Sequence, residues 1–344
     1  MARRNTKYDP YGQPGLFDEL DETMRQRMAA SAFYEDKVRL AGGSVPLVPE
    51  SENPLGPIVV RPVPNKIVFM SFGSGSSGNC AYIGDSAGGF LVDAGVDPKK
   101  VVEGLKSHGI SMDQVKGICL THDHSDHMRY AYGIVKKYRH VGVYCTPRVL
   151  GGLLRRHNVS RRIKDYHVSI YKEIPFTIGN FTITAFEVMH DGTDNAGFYV
   201  QHDDRAFGIA TDLGCISDRA DYYLQRADYI MLESNYDATM LQDGIYPEYL
   251  KARIRAERGH LDNSVTAEYL AKIYSPRLKH IFLCHLSQDN NTPEIALSTT
   301  KKALQRLGLR IGAGENTPED NTCDLQLVVL PRFDCSSLYT FRAI

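Results

Sequence analysis

The segment Thr121-His122-Asp123-His124-Ser125-Asp126-His127 places three imidazoles and two carboxylates between His122 and His127. The apolar residues Val115, Ile118, Cys119 and Leu120 come just before it. A strand ending there would deliver the cluster to a sheet edge. Neutral imidazole nitrogen and carboxylate oxygen are the donors zinc takes when no thiolate is offered. A histidine-based pH sensor or a solvated loop are the plainer readings of such a cluster. The pattern H-x-H-x-D-H outweighs both, because the rest of the chain supplies matching partners.

Those partners recur in one layout, an apolar strand with a metal-type side chain at its C-terminal end. Phe90-Leu91-Val92 leads to Asp93, a turn cap or a carboxylate that orients a metal-bound histidine. Val188-Met189 leads to His190, and the strand 207–210 to Asp212. The strand 229–232 leads to Glu233, and Ile281-Phe282-Leu283-Cys284 to His285. Gly259-His260-Leu261-Asp262-Asn263-Ser264 opens a helix. Two halves built this way and facing each other would converge their strand ends on one site.

The elements that must position these groups follow from the apolar pattern. Strands are predicted over 66–72, 80–83 and 90–92, with the glycine- and serine-rich loop 73–79 as a turn or a loop whose backbone approaches a phosphate. A helix over 98–108, a segment 112–120 leading into the histidine cluster, and a helix over 128–138 come next. Residues 176–186 form a hairpin around Gly179-Asn180. This order argues for an α/β layered fold.

Residues 136–164 carry Lys136, Lys137, Arg139, Arg148, Arg155, Arg156, Arg161, Arg162 and Lys164 without one Asp or Glu. One reading is a track for a phosphate backbone, carried by Arg155, Arg156, Arg161 and Arg162 beside the active site. The other is a solvated surface paired with acids from elsewhere.

The chain has 344 residues, 42% hydrophobic and 24% charged, with a net charge of −1. That is ordinary globular composition with no global pull toward polyanions. The seven cysteines are scattered without a C-x-x-C, and several lie in apolar runs, so buried reduced thiols in a cytoplasmic protein are expected. The first residues show no apolar targeting segment, and no run approaches a membrane span. Residues 1–65 differ in character: 20–38 suits one helix, and the proline-rich stretch 51–64 an extended connector. They form an N-terminal extension, either a docking or oligomerisation arm or a partly disordered appendage. A homo-oligomer is therefore an open expectation.

In this order, Asp93, His122-x-His124-x-Asp126-His127, His190, Asp212 and His285 resemble the motifs of the metallo-β-lactamase superfamily over about residues 66–310. The resemblance implies a four-layer αββα sandwich over 66–310, with 311–344 as a tail whose strands pack on the core. By the same resemblance His122, His124 and His190 hold one metal ion, Asp126, His127 and His285 hold a second, and Asp212 bridges them. Two divalent ions are implied, zinc first and manganese or iron as substitutes. Lactamases of the superfamily carry a cysteine ligand where this chain has Asp212, which favours a phosphodiester over a lactam.

Within the superfamily, Ser74-Gly75-Ser76-Ser77-Gly78-Asn79-Cys80, Gly259-His260-Leu261-Asp262-Asn263 and Cys284-His285-Leu286-Ser287 resemble the bacterial YycJ/WalJ group, which implies exonuclease-type activity. The placement of Glu233 and His260 is similar to tRNase Z-type phosphodiesterases. The catalytic centre is then Asp126 among the ligands, His260 as proton donor to the leaving alkoxide, and Glu233 fixing the imidazole tautomer. A nucleic acid is the expected substrate, DNA or RNA. The competing classes are a small-molecule hydrolase of thioesters or cyclic phosphodiesters and an inactive metal-binding interaction protein. His140, His157, His167, His202 and His280 have no motif partner and are expected to be structural or exposed.

Overall fold

The computed structural model describes residues 66–314 and 322–341. The helix and connector expected within 1–65 lie outside the described residues. Two mixed sheets face each other. The first runs β15-β1-β2-β3-β4-β5-β6 and the second β13-β14-β12-β11-β10-β9-β8-β7. The first contains β1 (Ile67–Gly73), β2 (Cys80–Asp85), β3 (Gly88–Val92), β4 (Val115–Cys119), β5 (Gly142–Cys145), β6 (His167–Ser169) and β15 (Tyr339–Phe341). The second contains β7 (Phe176–Ile178), β8 (Phe181–Glu187), β9 (Ala196–His202), β10 (Arg205–Ala210), β11 (Tyr229–Glu233), β12 (His280–Cys284), β13 (Ile311–Gly312) and β14 (Leu325–Val329). The helices are α1 (Pro98–Ser107), α2 (Ser125–Met128), α3 (Ala131–Lys137), α4 (Pro147–Arg156), α5 (Asp218–Leu224), α6 (Ala238–Asp243), α7 (Glu248–Arg255), α8 (Asn263–Ile273) and α9 (Pro293–Gln305).

Three apolar clusters join four layers. Phe69, Phe90, Phe198, Phe207 and Phe282 fill the space between the sheets. Leu105, Ile134, Val149 and Leu153 cover the outer face of the first sheet, and Leu224, Leu270 and Leu304 that of the second. Strands buried on both faces read as continuous apolar runs, with successive residues alternating between layers. In β12, Phe282 and Cys284 enter the inter-sheet core while Ile281 and Leu283 face the helices. The αββα sandwich is thus the observed architecture.

Strand direction decides where the chemistry gathers. β3 to β6 are parallel, as are β10, β11, β12 and β14. The antiparallel pairs β1–β2, β2–β3, β8–β9 and β9–β10 turn β1 the same way as β3, and β8 the same way as β10. The carboxyl ends of β1, β3, β4, β8, β10, β11 and β12 therefore open on one side, where ligands bind in sheets of this type. Past residue 310 the chain adds β13 and β14 to the second sheet and β15 to the first.

Three details differ from the sequence reading. The helix expected over 128–138 is broken into α2 and α3. Tyr130 N–H donates to Ala94 O (2.9 Å), Ala94 N–H to His127 O (2.6 Å) and Asn79 N–H to Asp126 O (2.8 Å), so backbone groups of that turn are spent on neighbouring loops. β8 stops at Glu187, and the buried Val188 leads His190 in as a loop. His260 precedes the helix start, since Asp262 is the N-cap of α8 and accepts from Ser264 N–H (2.7 Å). Of the cysteines, Cys80, Cys119, Cys145 and Cys284 are buried and all are free thiols. Among the described residues no helix is long and apolar enough to cross a membrane.

Candidate metal centre

Three strand ends turn into the site through left-handed backbone. Asp93 has φ 63°, Asp212 φ 52° and His285 φ 54°. Such a conformation costs a non-glycine residue of order 1–3 kcal/mol, and surrounding bonds must hold it. Asp93 N–H donates to Cys119 O (2.9 Å). His285 N–H donates to Ser74 Oγ (2.9 Å), and its carbonyl accepts from Asn235 Nδ2 (2.7 Å). Beside Asp212, Leu213 N–H donates to Glu233 Oε2 (2.9 Å).

The imidazoles are oriented one by one. His127 Nδ1 donates to Asp93 Oδ2 (2.7 Å), His285 Nδ1 to Glu233 Oε1 (2.8 Å) and His190 Nδ1 to Gly259 O (2.9 Å). His122 Nδ1 lies 3.0 Å from Thr121 Oγ1, whose hydroxyl donates to Asp93 Oδ2 (2.9 Å). A proton held on Nδ1 leaves Nε2 as a bare lone pair.

These nitrogens and the carboxylates meet at close range. His127 Nε2 is 3.1 Å from Asp212 Oδ2 and 3.5 Å from Asp126 Oδ2. His285 Nε2 is 3.3 Å from Asp212 Oδ1 and 3.6 Å from Asp126 Oδ2. His190 Nε2 is 3.8 Å from Asp212 Oδ1 and 3.3 Å from His124 Nδ1. Donors about 2.1 Å from a tetrahedral ion sit roughly 3.4 Å from one another, so this spacing is that of a coordination shell. Buried His122 Nε2, Asp212 Oδ2 and His285 Nε2 have no hydrogen-bond partner. Groups so placed inside a protein are costly unless a cation satisfies them. The donor set therefore fits metal. The triads His122–His124–His190 and Asp126–His127–His285 each bring their ligand atoms within 4.8 Å of one another, and Asp212 lies within reach of His122 and His127.

Glu233 and His260 also lie near Asp212 and His285, yet Glu233 has no free oxygen for an ion. Its Oε1 accepts from His260 Nδ1 (2.7 Å) and His285 Nδ1, and its Oε2 from Leu213 N–H and Leu261 N–H. His260 lies at the lip of the cluster, 21% exposed, with its ring 5.0 Å from that of His190.

Burial pushes His122 well below the usual imidazole range, and it also lowers His124 and His190. Burial opposes charge on His127 and His285 too, but Asp212 and the neighbouring carboxylates outweigh it. His127 rises well above its usual range and His285 to about 10. Asp126 and Asp212, although buried, are held low by His127 and His285. His260 is raised against its burial by Glu233. The site concentrates negative charge that calls for cations.

The basic stretch reaches the cluster at one point. Thr146 caps α4 and Pro147 starts it, Val149 and Leu153 face the core, and Arg155 and Arg156 fall in the last turn, where cations suit the helix dipole. Beyond it His157 Nε2 donates to Asp123 O (2.6 Å). Arg156 pairs with buried Asp123 at 3.6 Å. Arg155, Arg161 and Arg162 are exposed. Asp123 itself turns away from the ligands to accept from Thr193 N–H (2.8 Å) and Thr193 Oγ1 (2.6 Å).

Sequence reasoning missed several neighbours. Asn79 Nδ2 lies 3.0 Å from His127 Nε2. Asp191 Oδ1 is 3.4 Å from His190 Nε2 and 3.5 Å from His124 Nε2, and Arg253 holds its Oδ2 at 2.7 Å. Asn79 and Asn235 stood in plain motifs, but nothing local distinguishes a buried amide beside a ligand from a turn residue.

The Beta-lactamase superfamily domain matches residues 89–285. The chain belongs to this superfamily. Among curated relatives, Exodeoxyribonuclease YycJ of Bacillus anthracis is 31% identical over 244 residues, covering 71% of this chain and 91% of the relative. Exodeoxyribonuclease WalJ of Streptococcus pneumoniae is also 31% identical over 244 residues, covering 71% of this chain and 90% of the relative. The metallo-β-lactamase fold protein YhfI from Bacillus subtilis shares the fold, with a TM-score of 0.56 at 12% identity over 80% of this chain and 100% of that one. Superfamily membership implies divalent metal ions, and the donor set described above is of the type they take.

Proposed function

We propose that the protein hydrolyses phosphodiester bonds of a nucleic acid strand with two divalent ions, acting on DNA as an exonuclease. His122, His124 and His190 would hold one ion, Asp126, His127 and His285 the other, and Asp212 both, with zinc favoured by the nitrogen-rich set. Such ions, when bound, acidify the attacking water and neutralise charge growing on phosphorus. The observation that carries the reading is the Glu233–His260 pair at the edge of the cluster, 2.7 Å apart. Glu233 accepts the Nδ1–H hydrogen bond and so favours the imidazolium form of His260, whose Nε2–H passes its proton to the departing sugar oxygen. Asp93 and Thr121 keep the ligand lone pairs aimed inward, so little reorganisation is needed as charge develops. Arg155, Arg161 and Arg162 would meet the strand beyond the Asp123 side of the cluster, while Arg156 both braces Asp123 and borders that track. The names of the curated relatives support DNA as the polymer.

The test is the purified protein with zinc or manganese against 5′- and 3′-labelled single- and double-stranded DNA and RNA. Stepwise release of mononucleotides from DNA is expected. No cleavage of any polymer, with turnover of a thioester or a cyclic phosphodiester instead, would overturn the reading.

A further inference from the structure

The loop after β1 has two faces. Ser74 and Asn79 serve the metal cluster. The other face borders a cavity of about 150 Å³, whose lining includes Gly73, Ser77, Gly78, Lys100, Arg129 and Arg332. That is roughly ten times the volume one water requires, room for a compact polyatomic ion but not for a duplex.

The charge in this cavity is one-sided. Lys100 Nζ donates to Phe333 O, and Arg129 rests 6.0 Å from the Tyr130 ring. Arg332 donates to Ser76 Oγ (2.7 Å) and to Leu286 O, and its buried Nε has no partner. Among the described residues, Lys100, Arg129 and Arg332 spend these contacts on carbonyl, hydroxyl and ring partners and form no ion pair. The one acid in the lining, Asp97, spends its Oδ1 on Lys99 N–H (2.8 Å). Asp289 and Asp126 partly offset Arg332 from further off, which leaves Lys100 and Arg129 as the unpaired cations; with glycine backbone exposed on the same concave surface they make an anion site.

Its position relates that anion to the cluster. A Cβ on Gly78 would lie 2.5 Å from Gly95 O, and one on Gly95 would lie 1.5 Å from Asp126 O. The wall between cavity and ligands is thus a single layer of backbone. Arg332 closes the rim by grasping the carbonyl of Leu286, the residue after His285. Arg156 of α4 instead approaches through Asp123, beside His122 and His124.

We propose that this cavity receives a phosphate group of the substrate strand, neighbouring the one cleaved, and so sets the strand's position over the metals. The inference rests on the phosphodiesterase reading and adds the site that anchors the polymer. The phosphate would be either a terminal phosphomonoester or an internal diester.

The experiment is fluorescence anisotropy with labelled single-stranded DNA bearing a 5′-phosphate, a 3′-phosphate or neither, across a salt series. Wild type is compared with Arg129→Glu, Lys100→Glu and the double variant, with melting curves to check folding. Arg129→Gln and Lys100→Gln serve should a reversal impair folding. Binding should weaken severalfold in each, and the slope of log K against log salt should fall by about 0.7 per lost contact. A loss confined to one phosphorylated end identifies a terminal phosphate, and an equal loss on all three strands an internal one. Unchanged affinity and slope in the folded double variant would overturn the proposal. Wild-type turnover of bis(4-nitrophenyl) phosphate, measured alongside, judges the phosphodiesterase reading separately.

Discussion

At the scale of single residues the site depends on who holds each imidazole. His260→Ala removes a side chain outside the triads, so both metals and the fold should remain. Turnover of DNA should fall by roughly 10²–10⁴-fold, the range for one positioned acid. The loss should shrink on a nitrophenyl diester, whose leaving group needs no proton; an equal loss on both substrates would make His260 a phosphate-positioning residue instead. Glu233→Gln should behave differently. Glu233 Oε1 accepts from His285 as well as His260, so the variant should also lose metal by elemental analysis, and full retention would show that His285 does not rely on it. Asp212 touches His127, His190 and His285 within 3.1–3.8 Å. Asp212→Ala should therefore reduce metal content from two ions toward one or none, and two tightly held ions in that variant would refute the bridging role.

At the scale of elements, α4 is both a support and a surface. A Cβ on Gly152 would meet Asp123 Oδ2 at 2.2 Å and Thr193 Oγ1 at 2.4 Å. Gly152→Ala should cost about 1–3 kcal/mol by overpacking and disturb the loop that carries His122 and His124. Melting and metal content together check this, and a variant as stable and as loaded as wild type would show that the contact gives way freely. The outer side of the same region is separable. Reversing Arg155, Arg161 and Arg162 to Glu should weaken DNA binding and lower the salt slope by about 2; an unchanged slope rejects the track. Arg156 is left out of that set because its partner Asp123 is buried, and a carboxylate beside it would strain the cluster loop.

At the scale of the whole molecule, His280 reports on how the two sheets are joined. It begins β12 and sits 5.0 Å from the ring of Phe341 in β15, across the inter-sheet core. Burial lowers its pKa to about 4. An unfolded histidine takes its proton near pH 6.5, so between there and pH 4 the unfolded chain binds a proton that the folded one refuses. Stability is then fully present above about pH 6.5 and declines as pH falls, by up to about 3 kcal/mol. His280→Phe keeps the ring and removes the titration, so its melting temperature should fall less between pH 7 and pH 4. Equal slopes in the two proteins would place the acid sensitivity elsewhere.

The donor types and their order along the chain were legible without coordinates, because H-x-H-x-D-H and the strand-terminal Asp93, His190, Asp212 and His285 are local patterns. So were most of the central strands, since strands buried on both faces must be apolar throughout, whereas β5 and β6, short and only partly buried, were not. Four things waited for the tertiary structure. Which aspartate of the cluster faces the ligands depends on Thr193, far along the chain, which takes Asp123 away. The break between α2 and α3 comes from bonds to Ala94 and Asn79 that no propensity contains. That Glu233 serves two histidines, and that three cations surround a cavity behind the loop after β1, follow from segments brought together only when the sheets close on each other. A sequence specifies its donors residue by residue, but a hydrogen-bond partner or an unpaired charge is a property of neighbours in space.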